Sequence, residues 1–487
     1  MKKEKLIFDI INLLKDENLI MDYSVKENLV IDFLSYNSKH VKNNTLFFCK
    51  GENFNENYLI QAVNKNATVY ISEKKYNVNI PYIIVNDIDK AMAVIAAYFY
   101  DYAYKNLTII GITGTKGKTT TVYLIKNILN KYSNNKCAFI SSIERNTGKK
   151  SVSSSLTTPE AIDLHSYFYE AVNNNCKFLV MEVSSQSVKR KRIYGITFNY
   201  GLFLNISSDH ISPKEHPSYE DYLKCKINFL KKCNTVICNK NTNNFEDIKS
   251  IITNKILTFS FTGNANTSFV SKKIENDITK ISLKNNDEDI KVSTKLIGNF
   301  NIENILAAIS VCKEIGVDNQ NIEKGIMATD KVKGRMNYFK NGEQYIIVDY
   351  AHNYISFKTI FDTVKDRFSD KKIVTIFGAP GDKAYNRRKE LAQISDEKSD
   401  YIILTKDDSG YESPKAICNE IASYIKNTPY KIIITRQKAI EYAVNNFKEN
   451  YVILILGKGT ENHQYSKGKS VYYPSDVNVV TNILKKR

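Results

Sequence analysis

Gly111-Ile112-Thr113-Gly114-Thr115-Lys116-Gly117-Lys118-Thr119-Thr120-Thr121 decides the fold class of this chain. An apolar run at 107–112 leads into it and a helical pattern follows. Small residues let backbone N–H groups wrap a polyphosphate, and the helix N-terminus adds a positive dipole. Lys118 is placed to reach the β- and γ-phosphates, and the Thr119 hydroxyl to hold Mg²⁺. The general pattern asks for glycine five positions before Gly117, where Ile112 stands; the shorter Gly-x-x-Gly-Lys-Thr-Thr form is present. A bare glycine turn between strand and helix would need neither Lys118 nor Thr119. Gly114, Thr115, Lys116, Gly117, Lys118, Thr119 and Thr120 therefore read as an ATP site, which by itself says nothing of the reaction.

Working outward, apolar strands are expected at 178–183 and 200–205, with helical stretches between them. The Asn-rich text from 239 to 289 reads as hairpins and loops. A helix follows, with Ile302, Ile305, Leu306, Ile309 and Cys312 on one stripe. From about 331, strands at 345–349, 373–377, 401–404, 432–435 and 451–456 again alternate with helices. Upstream of the loop, short strands at 45–49, 68–71 and 82–85 precede a helical 91–104. The pattern predicts an α/β protein of three domains. These are a smaller α/β domain (1–105), a central P-loop parallel-sheet domain (106–330) and a Rossmann-like domain (331–487). In such sheets ligands gather at the carboxyl ends of the strands, so residues just after them matter most.

Composition narrows the function classes. The 487 residues carry 43% hydrophobic and 25% charged residues, ordinary for a globular protein. The start, Met1-Lys2-Lys3-Glu4-Lys5-Leu6-Ile7-Phe8, is broken by Asp9 and Asn12. No run approaches the roughly 18 apolar residues of a spanning helix, so no membrane span and a cytoplasmic location are expected. Eight cysteines lack metal-binding spacing and read as reduced, buried thiols. The net charge of +17 accompanies a general richness in Lys, Asn, Ile and Tyr. No basic block or nucleic-acid module stands out, which disfavours nucleic acid as partner.

Motifs after the loop resemble the Mur ligase family. Thr157-Thr158-Pro159-Glu160 is similar to the substrate-binding turn of its tripeptide-forming branch, and Met181-Glu182-Val183-Ser184-Ser185 to that branch's next signature. A carboxylate at the end of an apolar strand is costly unless it meets a cation, which makes Glu182 a Mg²⁺ ligand candidate. Asn205-Ile206-Ser207-Ser208-Asp209-His210 resembles the family's Asn-x-x-x-Asp-His segment, implying a metal-binding His210. On the helix from Tyr219, positions 219, 222, 223, 226 and 230 share one face; four are apolar or aromatic, and the remaining one is Lys226. A lysine there commonly snorkels to water. In the resembled family it is carbamylated, which turns a cation into an oxygen-bearing anion able to hold Mg²⁺. Burial favours the neutral amine that reacts with CO₂.

Gly298-Asn299-Phe300-Asn301-Ile302-Glu303-Asn304 resembles the adenine-contacting segment, with Asn301 and Asn304 as contacts. Lys333-Gly334-Arg335-Met336 resembles the hinge into the last domain, implying Arg335 on the ATP phosphates. Asp349-Tyr350-Ala351-His352 implies Asp349 near the nucleotide. Gly457-Lys458-Gly459-Thr460-Glu461 falls where the family closes over the incoming amino acid, implying Glu461. Tyr36-Asn37-Ser38-Lys39 and Phe47-Phe48-Cys49-Lys50-Gly51 resemble the UDP-binding domain, implying a uridine contact at Ser38. Thr157, Thr158, Ser184 and Arg192 are carried over as contacts to the nucleotide-linked peptide. The resemblance implies ATP and Mg²⁺ as cofactors, a UDP-muramoyl dipeptide and a free amino acid as substrates, and a monomer. It implies catalysis by Lys118, Glu182, His210 and Lys226, with domain closure to assemble the site.

The chain also departs from the pattern. Gln186, Asn337 and Thr460 stand where the branch has His, Glu and His. Asp407-Asp408-Ser409-Gly410 stands where diaminopimelate-adding members carry Asp-Asn-Pro-Arg, whose arginine pairs the acceptor's distal carboxylate. Gly410 offers no charge, which leaves the acceptor open and favours a neutral or monocationic one such as lysine. Two rivals remain beside this reading: a folylpolyglutamate synthase-like ligase and a non-catalytic nucleotide-binding paralogue. A P-loop kinase or transport ATPase would not explain the third domain or the Lys226 helix.

Overall fold

A computed structural model describes residues 4–51, 53–207, 215–330, 332 and 334–486. The chain divides into two compact units. One comprises Met1–Ser271, Ser282–Val292 and Glu303–Ile326; the other comprises Lys272–Ile281, Ser293–Ile302 and Met327–Arg487.

In the first unit the apolar run before the loop forms the strand Thr108–Thr113. It lies inside a parallel run ordered Lys255–Ser260, Cys233–Asn239, Phe198–Phe203, Thr108–Thr113, Phe178–Glu182 and Cys137–Ile140. The chain fills one side of the loop strand and then the other, so the strand order reverses beside it. Such a reversal opens a crevice at the carboxyl ends, and the phosphate loop sits there. Burial on both faces explains why these strands read as continuous apolar runs.

A five-stranded sheet precedes this, in the order Ile20–Tyr23, Tyr82–Val85, Ala67–Ser72, Thr45–Phe48 and Phe33–Ser35, with only the first pair antiparallel. The helix expected at 91–104 runs Ile88–Phe99, started by the Asp87 side chain, which accepts from Lys90 N. Its core reaches Ala161 and Ile162 of the helix Ala161–Asn173. That shared apolar surface explains why this sheet and the central one form one unit. The polar stretch after 239 contains a helix, Phe245–Ile251, that the composition hid, and then strands out to Thr294. In Ile278–Asn285 the alternate residues Thr279, Ile281 and Leu283 are buried.

The second unit carries a six-stranded sheet. Its order is Asn337–Asn341, Gln344–Asp349, Tyr451–Leu456, Lys372–Phe377, Tyr401–Leu404 and Tyr430–Ile432, parallel after the first pair. The last strand ends at Ile432, short of the 432–435 expected. A hairpin, His463–Ser466 with Lys469–Tyr472, follows the sheet. All eight cysteines are buried and unpaired. Among the described residues no helix is long and apolar enough to cross a membrane.

Candidate active site

The loop after Thr108–Thr113 is held open by backbone geometry. Gly114 has φ +153° and Gly117 has φ +87°, and a Cβ on Gly117 would run into the Asn304 side chain. These left-handed positions are what glycine supplies. Asn205, just past the neighbouring strand, clamps the loop. Its carbonyl accepts from Thr115 N at 3.1 Å, its Oδ1 from Lys116 N at 2.9 Å, and its Nδ2 donates to Lys116 O at 3.2 Å. The helix Lys118–Tyr132 starts directly after Gly117. Lys118 Nζ donates to the loop carbonyls of Gly114 and Thr115 at 2.7 and 3.1 Å. Thr120 is buried in the first helical turn.

Glu182 ends its strand only 1% exposed. Its Oε1 accepts from Thr119 Oγ1 and from Ser142 N, both at 2.8 Å. Thr119 Oγ1 also lies 3.2 Å from Ser142 Oγ. Three strand ends thus bring a carboxylate and two hydroxyls to the mouth of the phosphate loop. These are hard oxygen donors, and they fit Mg²⁺. Ser142 escaped sequence reasoning, because nothing local marks a serine two residues past a strand.

Lys226 does not snorkel. It is 1% exposed, its Nζ lies 4.3 Å from the Tyr222 ring centroid, and it donates to Thr113 Oγ1 at 3.5 Å. Tyr222 OH in turn lies 3.2 Å from Thr115 Oγ1. The helix Tyr219–Leu230 starts at Ser218, whose side chain accepts from Asp221 N. His210 lies outside the described residues.

The turn at Thr158 is tied to the same strand end. Thr158 Oγ1 donates to Glu182 O at 2.9 Å and accepts from Ser184 N at 3.0 Å. Arg192 Nη1 donates to Thr158 O at 3.1 Å, while Nη2 pairs with Glu160 Oε1 at 2.6 Å. Glu160 Oε2 meets Lys50 Nζ at 2.7 Å, and Lys50 also pairs with Asp89 at 2.8 Å. Thr158, Ser184 and Arg192 therefore form one group, anchored to the first sheet through Glu160 and Lys50, and Thr157 precedes Thr158 in the same turn. Ser38 is buried in the short helical turn Ser38–His40 between two strands of that sheet, donating to Gln61 Oε1 at 3.0 Å. Neither Glu160 nor Lys50 was predictable as a partner of the other, being 110 positions apart.

On the helix Asn299–Ile315, Asn301 donates to Ile297 O at 2.8 Å, and Asn304 Oδ1 accepts from Thr121 Oγ1 at 3.3 Å. In the second unit, Asp349 accepts from Met336 N and Ala351 N, both at 2.7 Å. This fixes the turn that carries Arg335, whose guanidinium lies 5.5 Å from the Tyr350 ring centroid. Asn337 Oδ1 accepts from Gly334 N at 2.7 Å and so holds the same turn.

Past the other strands of that sheet, acidic groups gather around one lysine. Lys458, 1% exposed, pairs with Asp408 at 2.9 Å and with Glu461. Burial pulls the Lys458 ammonium down, but Asp407, Glu461 and Asp408 outweigh it and its pKa is raised. Burial pushes the Asp407 carboxyl up, against the pull of Arg436 and Lys458. Gly410 has φ +57°, and a Cβ there would strike the Asp382 carboxylate. Asp382 Oδ2 accepts from Tyr411 N at 2.7 Å. Gly410 is thus left-handed backbone packed beneath a carboxylate.

Two family descriptions match the chain: Mur ligase middle domain over residues 112–312, and Mur ligase, glutamate ligase domain over 334–459. A UDP-N-acetylmuramoyl-L-alanyl-D-glutamate–L-lysine ligase of Streptococcus pneumoniae is 40% identical over 462 residues, covering 94% of this chain and 93% of its own. A UDP-N-acetylmuramyl-tripeptide synthetase of Ligilactobacillus salivarius is 37% identical over 504 residues, covering 98% of each. Among solved structures, a UDP-N-acetylmuramoyl-L-alanyl-D-glutamate–2,6-diaminopimelate ligase matches with TM-score 0.69 at 22% identity over 99% of each chain. A folylpolyglutamate synthase of Mycobacterium tuberculosis matches with TM-score 0.61 at 11% identity, covering 81% of this chain. At those identities the two structures speak for the fold alone.

Proposed function

Since the chain belongs to the Mur ligase family of ATP-dependent amide-bond-forming ligases, we propose that it adds L-lysine to UDP-N-acetylmuramoyl-L-alanyl-D-glutamate during cytoplasmic peptidoglycan-precursor synthesis. The reaction has two steps. The γ-phosphoryl of ATP passes to the substrate's terminal carboxylate, giving an acyl phosphate and ADP. The acceptor amine then attacks the acyl carbon, the new C–N bond forms, and phosphate leaves with the amine losing a proton. Such chemistry needs positioning and charge neutralisation more than covalent help from the protein.

The observation that carries this reading is the buried Glu182 carboxylate bonded to the Thr119 hydroxyl at the mouth of the phosphate loop. Thr119, Glu182, His210 and Lys226 in carbamylated form are the residues assigned to Mg²⁺, which would supply neutralising charge beside the phosphates. Lys118 lies on the loop carbonyls and can swing to the phosphates. Asn301, Asn304, Arg335 and Asp349 are assigned to the nucleotide. Ser38 is assigned to the uridine, and Thr157, Thr158, Ser184 and Arg192 to the muramoyl peptide. The domain limits 1–105, 106–330 and 331–487 follow the same reading.

For the acceptor, Asp407, Asp408 and Glu461 around Lys458 make an acidic surrounding, and Gly410 offers no cation. A distal ammonium is favoured there over a distal carboxylate. The test is ligation with the UDP-linked dipeptide and a panel of amino acids, read by phosphate release and product mass. L-Lysine should exceed meso-diaminopimelate by at least roughly tenfold in kcat/KM. A clear win for diaminopimelate overturns the acceptor assignment. No phosphate release with any amino acid would favour the non-catalytic nucleotide-binding paralogue.

A further inference from the structure

His216 is 0% exposed, yet both ring nitrogens are engaged. Nδ1 lies 2.7 Å from Asp221 Oδ2 and Nε2 lies 2.8 Å from Ser185 Oγ. The two partners come from different elements. Ser185 opens the short helix that follows the Glu182 strand, three residues past Glu182. Asp221 lies in the first turn of the helix that carries Lys226. The His216 ring packs on Tyr222, with centroids 5.1 Å apart. Tyr222 touches both the phosphate loop, through Thr115, and Lys226, through its ring face.

These contacts could suggest a metal site, since Cys225 Sγ also lies within 4.8 Å of the His216 and Asp221 ligand atoms. That reading is weak. Both imidazole nitrogens are already hydrogen-bonded, and burial pushes the Cys225 thiol up, away from the thiolate a metal would need. A Ser-His-Asp nucleophile fits no better, because Ser185 and His216 are both buried.

We propose that His216 is a positioning residue for the ligation reaction: it pins the Lys226 helix to the end of the Glu182 strand and sets Tyr222 between Lys226 and the phosphate loop. It touches neither substrate nor phosphate. Its effect is on where two oxygen-donor positions stand relative to each other, and displacements of about 1 Å at such a site cost on the order of 10²-fold in rate. The proposal rests on the assignment of Glu182 and Lys226 to Mg²⁺.

His216→Leu keeps an apolar side chain in the space and removes both hydrogen bonds; His216→Gln keeps a donor and an acceptor. For the leucine variant, kcat should fall roughly 10- to 100-fold. KM for the UDP-linked peptide should stay within about twofold, because neither hydrogen-bond partner of His216 is assigned to that peptide. The free Mg²⁺ needed for half-maximal turnover should rise, and the glutamine variant should recover part of both losses. ADP affinity, measured by calorimetry with Mg²⁺ and again with chelator, gives a readout that needs no turnover. His216→Leu should lose the Mg²⁺-dependent part of that affinity and keep the rest. If wild-type protein does not ligate, the ligase assignment fails while this binding comparison still decides on His216. A leucine variant with wild-type turnover and unchanged Mg²⁺-dependent affinity overturns the proposal. So does a loss that only tracks a lower melting temperature, with the Mg²⁺ dependence unmoved.

Discussion

The central sheet and the C-terminal sheet both gather polar groups at the carboxyl ends of parallel strands, but they bury charge differently. Around the phosphate loop, the buried Glu182 and Lys226 are met by hydroxyls, a backbone N–H and an aromatic face. Beside the C-terminal sheet, at the starts of the helices Arg436–Asn446 and Asp476–Lys485, Arg436 at 1% exposure faces Asp476 at 0% through two bonds of 2.7 Å. Arg436 also donates to Leu456 O, and Tyr473 OH donates to Asp476 at 2.6 Å. The second pattern is closed, since each charge already has its opposite. The first sets the Glu182 carboxylate among hydroxyls and a backbone N–H, which suits a site that must accept a cation. Substitutions should therefore cost stability in one region and turnover in the other.

The largest effect expected is in the closed pair. Asp476→Ala leaves the Arg436 guanidinium buried without its anion, and breaking such a pair costs about 3–5 kcal/mol. Urea unfolding of the variant should show that loss. A loss below about 1 kcal/mol would mean that water reaches Arg436 and that the contrast between the two sheets is false.

Next comes Lys118→Ala in the open region. Lys118 donates to the loop carbonyls of Gly114 and Thr115 at 2.7 and 3.1 Å. Turnover should fall on the order of 10²–10³-fold, as for loss of one donor to developing charge. The melting temperature should stay put. Phosphate release near the wild-type rate would remove the loop from the chemistry.

The contrast also marks what the sequence could reveal. Gly114, Gly117, Lys118 and Thr119 announce themselves, because a tight turn between strand and helix demands glycine and a phosphate demands a cation. Glu182 stands out because a lone carboxylate ends an apolar run. The stripe on Tyr219–Leu230 pointed to Lys226 as unusual, and burial bears that out. What stayed hidden depends on partners brought from afar. Lys50 with Glu160, Ser142 with Glu182, and His216 with Ser185 join positions separated by 110, 40 and 31 residues. The helix Phe245–Ile251 was masked by its Asn-rich surroundings, although Phe245 and Ile248 give it a buried face. Nothing in the sequence around Arg436 or Asp476 shows that the guanidinium is enclosed.

Lys226 sharpens the comparison from another side. Lys226→Arg keeps the positive charge but cannot form a carbamate, so turnover should drop roughly 10²-fold. Lys226→Ala should lose a similar amount and regain part with a small carboxylate in the buffer, which can fill the vacated oxygen position. Normal turnover of the arginine variant would make Lys226 a buried structural cation, like those of the C-terminal sheet.

The smallest effect concerns His165, the one place where the first unit buries a titratable ring with no hydrogen-bond partner among the described residues. It is 1% exposed and lies between Tyr104 and Phe168, with centroids 5.8 and 5.6 Å away. Burial holds its pKa down at about 3. The unfolded chain, with an imidazole near the usual value of about 6.5, therefore binds a proton that the folded chain refuses. Stability supplied by the neutral form is complete above about pH 6.5 and drains away as pH falls towards the folded pKa. At about 1.4 kcal/mol per pH unit, some 2 kcal/mol should be lost between pH 7 and pH 5 from this residue alone. His165→Leu has nothing to titrate and also removes an unsatisfied buried polar group, so it should match or exceed wild-type stability at pH 7. Urea unfolding at both pH values tests this. The wild-type curve should fall about 2 kcal/mol further than the variant's, whereas parallel curves would show that His165 reaches water in the folded protein.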